Sequence, residues 1–193
     1  MPEKEKHPLP FFLPQNAKIL MLGSFPPQQK RWSMAFFYPN FQNDMWRIFG
    51  YLFFGDKNHF VDVPAKKFRE TAIREFLAEK GIALGDTATE VVRLKENASD
   101  KFLQIVKTID LIDVFRQIPQ CEAIVVTGQK ALETILSLLD HPAEPKIGDY
   151  IEVPFQQRKI RLYRMPSSSR AYPLSLDKKA EYYKAMFHNE HLL

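Results

Sequence analysis

The sequence predicts a single α/β domain built on a parallel, helix-covered sheet. Two apolar runs carry that expectation: Ile19-Leu20-Met21-Leu22, ending at Gly23, and Ala123-Ile124-Val125-Val126-Thr127, ending at Gly128. Continuous apolar runs of strand length are the pattern of strands buried on both faces. The third observation is that the stretches between and after them place apolar residues at helical spacing, and such alternation favours a parallel sheet covered by helices.

The elements follow in chain order. Residues 1–16, with Pro2, Pro8, Pro10 and Pro14, read as an extended N-terminal arm pinned by Phe11, Phe12 and Leu13; the domain proper is 17–193. Asp44–Phe54 reads as a helix. Lys66–Lys80 places Ala72, Ile73, Phe76 and Leu77 on one helical face, with Gly81 as its stop. Phe102–Phe115 reads as a further helix, and Gln129–Leu139 as another, carrying Leu132, Ile135, Leu136 and Leu139. Arg158–Met165 alternates, Ile160 and Leu162 on one face and Lys159, Arg161 and Tyr163 on the other, as a strand does. Leu176–Phe187 closes the chain as a helix, with Ser175 placed to cap it and Asp177 in its first turn.

Composition narrows the function. The chain has 193 residues, 45% apolar and 26% charged, which excludes wholesale disorder. A chain this long buries roughly 70% of its unfolded surface and needs no staples. One cysteine, Cys121, excludes an internal disulfide framework and any multi-cysteine zinc or iron–sulfur site within the chain. The five histidines form no metal set, so neither metal nor cofactor is expected. No apolar run reaches the roughly 20 residues of a membrane span. Met1–Pro8 lacks the apolar core of a secretory signal, so a soluble, cytoplasmic monomer that avoids membranes is expected. Net charge is +4, but between Pro145 and Arg170 six basic residues face only two acidic ones. A surface of that sign suits a polyanion, although a solvated basic edge strand has the same composition.

In open parallel sheets the ligand sits beyond the carboxyl ends of the strands. The loops that leave candidate strand ends there are Gly23–Pro27, Gly128–Lys130 and Pro166–Arg170. The first runs on for 19 residues, from Ser24 to Gln42, with no clear periodicity, and connections that long in a compact domain are usually functional or disordered. It contains Trp32, Phe36, Phe37, Tyr38 and Phe41 beside Lys30 and Arg31, so disorder is not expected. Its aromatics either plug into the core or offer a face on which bases stack.

Three motifs stand in order along the chain: Met21-Leu22-Gly23-Ser24-Phe25-Pro26, then Phe37-Tyr38-Pro39-Asn40-Phe41-Gln42-Asn43-Asp44-Met45-Trp46, then Met165-Pro166-Ser167-Ser168-Ser169-Arg170. Together they resemble the uracil-DNA glycosylase superfamily, above all its mismatch-specific and hypoxanthine-DNA glycosylase branches. Gly81-Ile82-Ala83-Leu84-Gly85-Asp86 and Val126-Thr127-Gly128-Gln129-Lys130-Ala131 are similar to that family's internal strands, and the likeness runs from about Ala17 to Tyr183.

The resemblance implies a three-layer α/β/α fold with a central, mostly parallel sheet, and removal of a damaged base, uracil or hypoxanthine, from DNA. The base leaves the stack before its glycosidic bond is reached. The bond then breaks toward an oxocarbenium-like sugar, so the enzyme mainly places a water and stabilises charge. The resemblance assigns that catalysis to Asn43. It assigns base binding to Gly23, Ser24, Phe25, Phe37, Tyr38 and Thr127. DNA contacts are expected, from the residues themselves, at the hydroxyl-rich Pro166, Ser167, Ser168, Ser169 and Arg170, at the helix start Gln129 and Lys130, and at Arg161 and Arg164 of the basic stretch.

The sequence departs from the family at Phe25, where many members have the Asp or Asn that positions the water, although the hypoxanthine branch lacks it too. It departs again at Pro27, where a glycine is usual; proline supplies no backbone N–H, which excludes an amide contact there. Asn40 stands where histidine is common. Two other functions fit the same residues: a non-catalytic nucleic-acid-binding member of the fold, or a small-molecule nucleosidase. The expected chemistry is metal-independent and leaves an intact abasic strand.

Overall fold

A computed structural model describes residues 3–95, 99–141 and 143–193. A central five-stranded sheet organises the chain. It is formed by β2 (Ile19–Gly23), β5 (Ile82–Asp86), β8 (Ala123–Thr127), β9 (Tyr150–Phe155) and β10 (Arg158–Met165), in the order β5-β2-β8-β10-β9. The first four strands run parallel and β9 is antiparallel at one edge. The two apolar runs of the sequence are its central strands β2 and β8, buried at every position.

Side-chain alternation along β2 divides the core. Ile19 and Met21 pack with α1 (Met45–Phe54), α2 (Glu70–Lys80) and α5 (Leu176–Asn189), whereas Leu20 and Leu22 pack with α3 (Leu111–Gln117) and α4 (Gln129–Leu138). Period-two alternation places those clusters on opposite faces of the sheet. The result is a single mixed α/β domain whose central sheet is mostly parallel.

Two expected helices change. The segment read as Lys66–Lys80 starts its helix only at Glu70, because Lys67–Phe68 (β4) pairs with Val61–Asp62 (β3) and buries Phe68. Phe102–Phe115 is not one helix. Leu103–Thr108 is a strand (β7) paired with β6 (Ala88–Arg93), and α3 follows after Asp110, whose carboxylate accepts the Asp113 amide as an N-cap. The β6–β7 hairpin and β1 (Lys4–Lys6) form a second, three-stranded antiparallel sheet. The N-terminal segment is therefore tied to the body of the protein: β1 pairs with β6, and Phe12 bridges to Leu84. Ser175 caps α5 as expected, accepting the Lys178 amide.

Candidate active site

The carboxyl ends of β2, β5 and β8 and the loop after β10 surround one cavity of about 300 Å³. Sites for small organic groups start at about that size. Its walls come from well-separated parts of the sequence: the Gly23–Pro27 turn with Arg31, residues of the Tyr38–Asn43 segment, Asp86, Arg93, Asp100, Thr127, and Ser167–Ala171.

The 19-residue loop divides its aromatics between core and cavity. Phe36 and Phe37 are buried beneath the site, while Tyr38 reaches its wall. Tyr38 has φ 52, in the left-handed region that costs a non-glycine residue roughly 1–2 kcal/mol. Its hydroxyl and Thr127 Oγ1, 2.8 Å apart, hold that conformation. Burial raises the Tyr38 pKa, so the phenol stays neutral and keeps a hydrogen to share.

Asn43 stands at the start of α1 and also on the cavity wall. Its Oδ1 accepts the Met45 amide at 2.9 Å, and no described residue bonds its Nδ2. The residue therefore holds the first amide of α1 with one atom and retains a donor for a ligand. The serine loop is fastened beside it: Asn43 bridges to Ser169, and the Asp44 amide donates to Ser168 O at 2.8 Å.

Beneath this junction lies a charge cluster centred on the buried Asp44 and Lys179. Lys179, with no exposed surface, reaches from α5 and donates to Ser169 O at 2.8 Å and to Asp44 Oδ2 at 3.3 Å. Arg170 Nε donates to Asp44 Oδ1 at 3.0 Å. The carboxylate of Asp44 thus ties α1, α5 and the serine loop together.

Two carboxylates on the cavity wall went unassigned from sequence. Asp86 ends β5 directly beside Gly23 in register, and its Oδ2 is bonded to His7 Nε2 at 2.7 Å. Asp100 comes from the loop before β7 and accepts a hydrogen bond from Ser24 Oγ at 2.6 Å. Burial, chiefly, and the nearby Asp86 charge raise the Asp100 pKa, although Ser24 opposes the shift. Asp86 ends the Gly81–Asp86 segment that the sequence singled out as a strand, but only strand register puts it next to Gly23. His7, 79 residues away along the chain from Asp86, gave no local signal.

Of the expected base-binding residues, Gly23, Ser24, Phe25, Tyr38 and Thr127 line the cavity. Phe37 does not. It lies 6.1 Å from the His7 ring, and Phe25 meets the same ring edge-on at 5.2 Å, so both pack against that histidine.

Of the expected DNA contacts, Ser167, Ser168, Ser169 and Arg170 line the cavity, and Pro166 is buried behind them, its carbonyl accepting the Tyr183 hydroxyl at 2.9 Å. Gln129 and Lys130 begin α4 outside the cavity lining, where Gln129 Oε1 accepts Arg164 Nη2 at 2.8 Å. Gly128, the N-cap of α4, has φ 93, which only glycine adopts freely, and open space above it.

Arg161 sits farthest from the site. It pairs with Ala123 at the opposite end of β8 and makes a two-pronged ion pair with Glu190, at 2.7 and 2.9 Å. Hydrogen bonding to Glu190 raises its pKa. Arg164 is occupied by Gln129, Glu144 and Pro145 O. Arg31, absent from the expected set, is exposed at the cavity edge. The Cys121 thiol is pushed up to about 12 by burial and donates to Ala123 O, as a small core residue does. Among the described residues, no three His, Cys, Asp or Glu side chains converge as metal ligands, and no helix is long and apolar enough to cross a membrane.

No family model matches the chain, and no curated protein matches it in sequence. Among solved structures it is similar to the solution NMR structure of a protein described as a "putative uracil DNA glycosylase" from Methanosarcina acetivorans. The TM-score is 0.61 at 21% identity, covering 95% of this chain and 96% of that one. The likeness is one of fold, and it extends from end to end.

Proposed function

We propose that this protein is a monofunctional DNA glycosylase of three-layer α/β/α architecture that hydrolyses the N-glycosidic bond of uracil or hypoxanthine flipped out of DNA. The observation that carries this reading is the convergence of the three motifs, Gly23–Pro27, Tyr38–Asn43 and Ser167–Arg170, on one cavity beyond the carboxyl ends of parallel strands. The fold similarity to a protein described as a "putative uracil DNA glycosylase" supports it.

In this reading the flipped base enters between Tyr38 and the Gly23–Phe25 turn. The Ser167 and Ser169 hydroxyls, with Arg170 and Arg31 at the rim, grip the phosphates on either side. Asn43 Nδ2 donates to the attacking water or to the charge that develops on the departing base. The basic rim and the serine loop favour a polynucleotide over a free nucleoside.

The test is incubation with labelled oligonucleotides bearing uracil, hypoxanthine or mismatched thymine, followed by alkali, alongside the corresponding free deoxynucleosides. Alkali-dependent cleavage at the modified position supports the reading. Hydrolysis of the nucleosides alone supports the nucleosidase instead, and binding without cleavage supports a non-catalytic member.

A further inference from the structure

The carboxylate missing from the first turn is replaced in space by one from the neighbouring strand. Phe25 occupies the sequence position where a water-holding side chain is usual, and it is buried against Ala88, Val91 and Leu103 of the hairpin. The parallel register of β2 and β5 sets Asp86 opposite Gly23, the last residue before that turn. A methyl group on Gly23 would lie 2.6 Å from Asp86 Oδ1, so the carboxylate rests over the bare Cα. A close approach of that kind is open only to glycine.

The two oxygens of Asp86 have different surroundings. Oδ2 is held by His7 Nε2, and the His7 ring is itself fixed: Nδ1 lies 2.9 Å from Leu9 O and 3.1 Å from the Leu9 amide, with Phe25 and Phe37 packed against the ring. Oδ1 faces the cavity wall and bonds to no described residue. One oxygen is anchored and the other is presented.

We infer that Asp86, oriented by His7, is the general base of the hydrolysis, receiving a proton from the water that attacks C1′. This inference rests on the glycosylase reading above. As the water oxygen bonds to C1′, the C1′–N bond breaks and its electron pair leaves with the base. One water proton passes to Asp86 and goes on to the departing base or to solvent, which restores the carboxylate. Asn43, which lines the same cavity, supplies the complementary donor through Nδ2, so the water is held between an acceptor and a donor. His7 is a positioning residue, and so are Phe25 and Phe37 behind it.

The test measures single-turnover excision from a uracil- or hypoxanthine-containing duplex by the parent protein and by Asp86→Asn, with duplex affinity and thermal unfolding recorded for both. Asparagine can accept a hydrogen bond at that position but no proton. A rate lower by roughly 10²–10⁴, the usual contribution of a general base, with folding and affinity retained, is the expected result. A variant rate within threefold of the parent overturns the assignment while leaving the glycosylase reading intact. A parent that excises neither base overturns both. Should Asp86→Asn fold poorly, Asp86→Glu carries the test: it keeps the carboxylate but moves it by a methylene. At least a tenfold loss is expected there, since misplacing a reacting group by about 1 Å costs up to 10²-fold, and a parent-like rate again overturns the assignment.

Discussion

Lys179→Met removes the one charge that ties α5 to both Asp44 and the serine loop, while keeping most of the volume of the stem. The lysine has no exposed surface, and its ammonium makes hydrogen bonds of 2.8 Å to Ser169 O and 3.3 Å to Asp44 Oδ2. Removing one partner of a buried ion pair costs roughly 3–5 kcal/mol, because the remaining charge stays buried. Here Asp44 keeps Arg170 at 3.0 Å, which points to the lower end, about 3 kcal/mol. At roughly 2–4 °C per kcal/mol for a domain of this size, Tm falls by about 6–12 °C.

Thermal unfolding followed by circular dichroism, with urea titration as a cross-check, reads the effect. Asp44→Asn in the Lys179→Met background removes the stranded charge, so the double variant costs less than the sum of the singles, with a coupling of roughly 0.5–3 kcal/mol. A Tm loss below about 2 °C, or strict additivity, would refute the view that this cluster clamps the loop.

Asn43→Ser can still accept the Met45 amide at the start of α1, so the protein stays folded and binds DNA, but loss of the amide donor lowers kcat roughly 10²–10³-fold; excision at the parent rate would leave Asn43 a structural role only. Salt titrations of duplex binding separate the basic residues: Arg31→Ala lowers the slope of log K against log salt by about 0.9, the value of one phosphate contact. Arg161→Ala, which breaks the Glu190 pair at the far end of the sheet, leaves that slope unchanged and lowers Tm instead; a reduced slope with Arg161→Ala would place DNA on that face. The raised pKa of Asp100 has a consequence for stability. A carboxyl that holds its proton more tightly folded than unfolded stabilises the fold below its unfolded pKa, and that contribution is lost as pH rises through the folded value. Asp100→Asn therefore gains stability over the parent at pH 7 and little at pH 3; equal differences at both values would contradict the shift.

Much of the scaffold could be read from the residues, because β2 and β8 are unbroken apolar runs and α4 and α5 have clean helical spacing. Phe102–Phe115 misled for a physical reason. No glycine or proline separates Leu103–Thr108 from α3, and the boundary is made by a single side-chain cap at Asp110. The strand owes its state to pairing with β6, a tertiary contact that local spacing does not encode. The motif segments did converge on the cavity, yet within them sequence order could not say which aromatic faces it: Tyr38 does, helped by a left-handed backbone, and Phe37 turns beneath. Asp86 and His7 were out of reach for a further reason. Their meeting depends on strand register and on the N-terminal segment folding back along β6. The charge excess before Arg170 was real in sequence, but Arg161 and Arg164 spend it on Glu190, Glu122 and Glu144.

The measurement that tests the central claim most directly is the intact mass of a DNA strand bearing a single uracil or hypoxanthine, recorded after incubation with the protein and before any alkali. The account predicts a strand lighter by the base and carrying a hydroxyl in its place, with the free base in solution, the backbone unbroken and no protein attached. A strand of unchanged mass for both bases, or one cut or cross-linked to the protein without alkali, would contradict it.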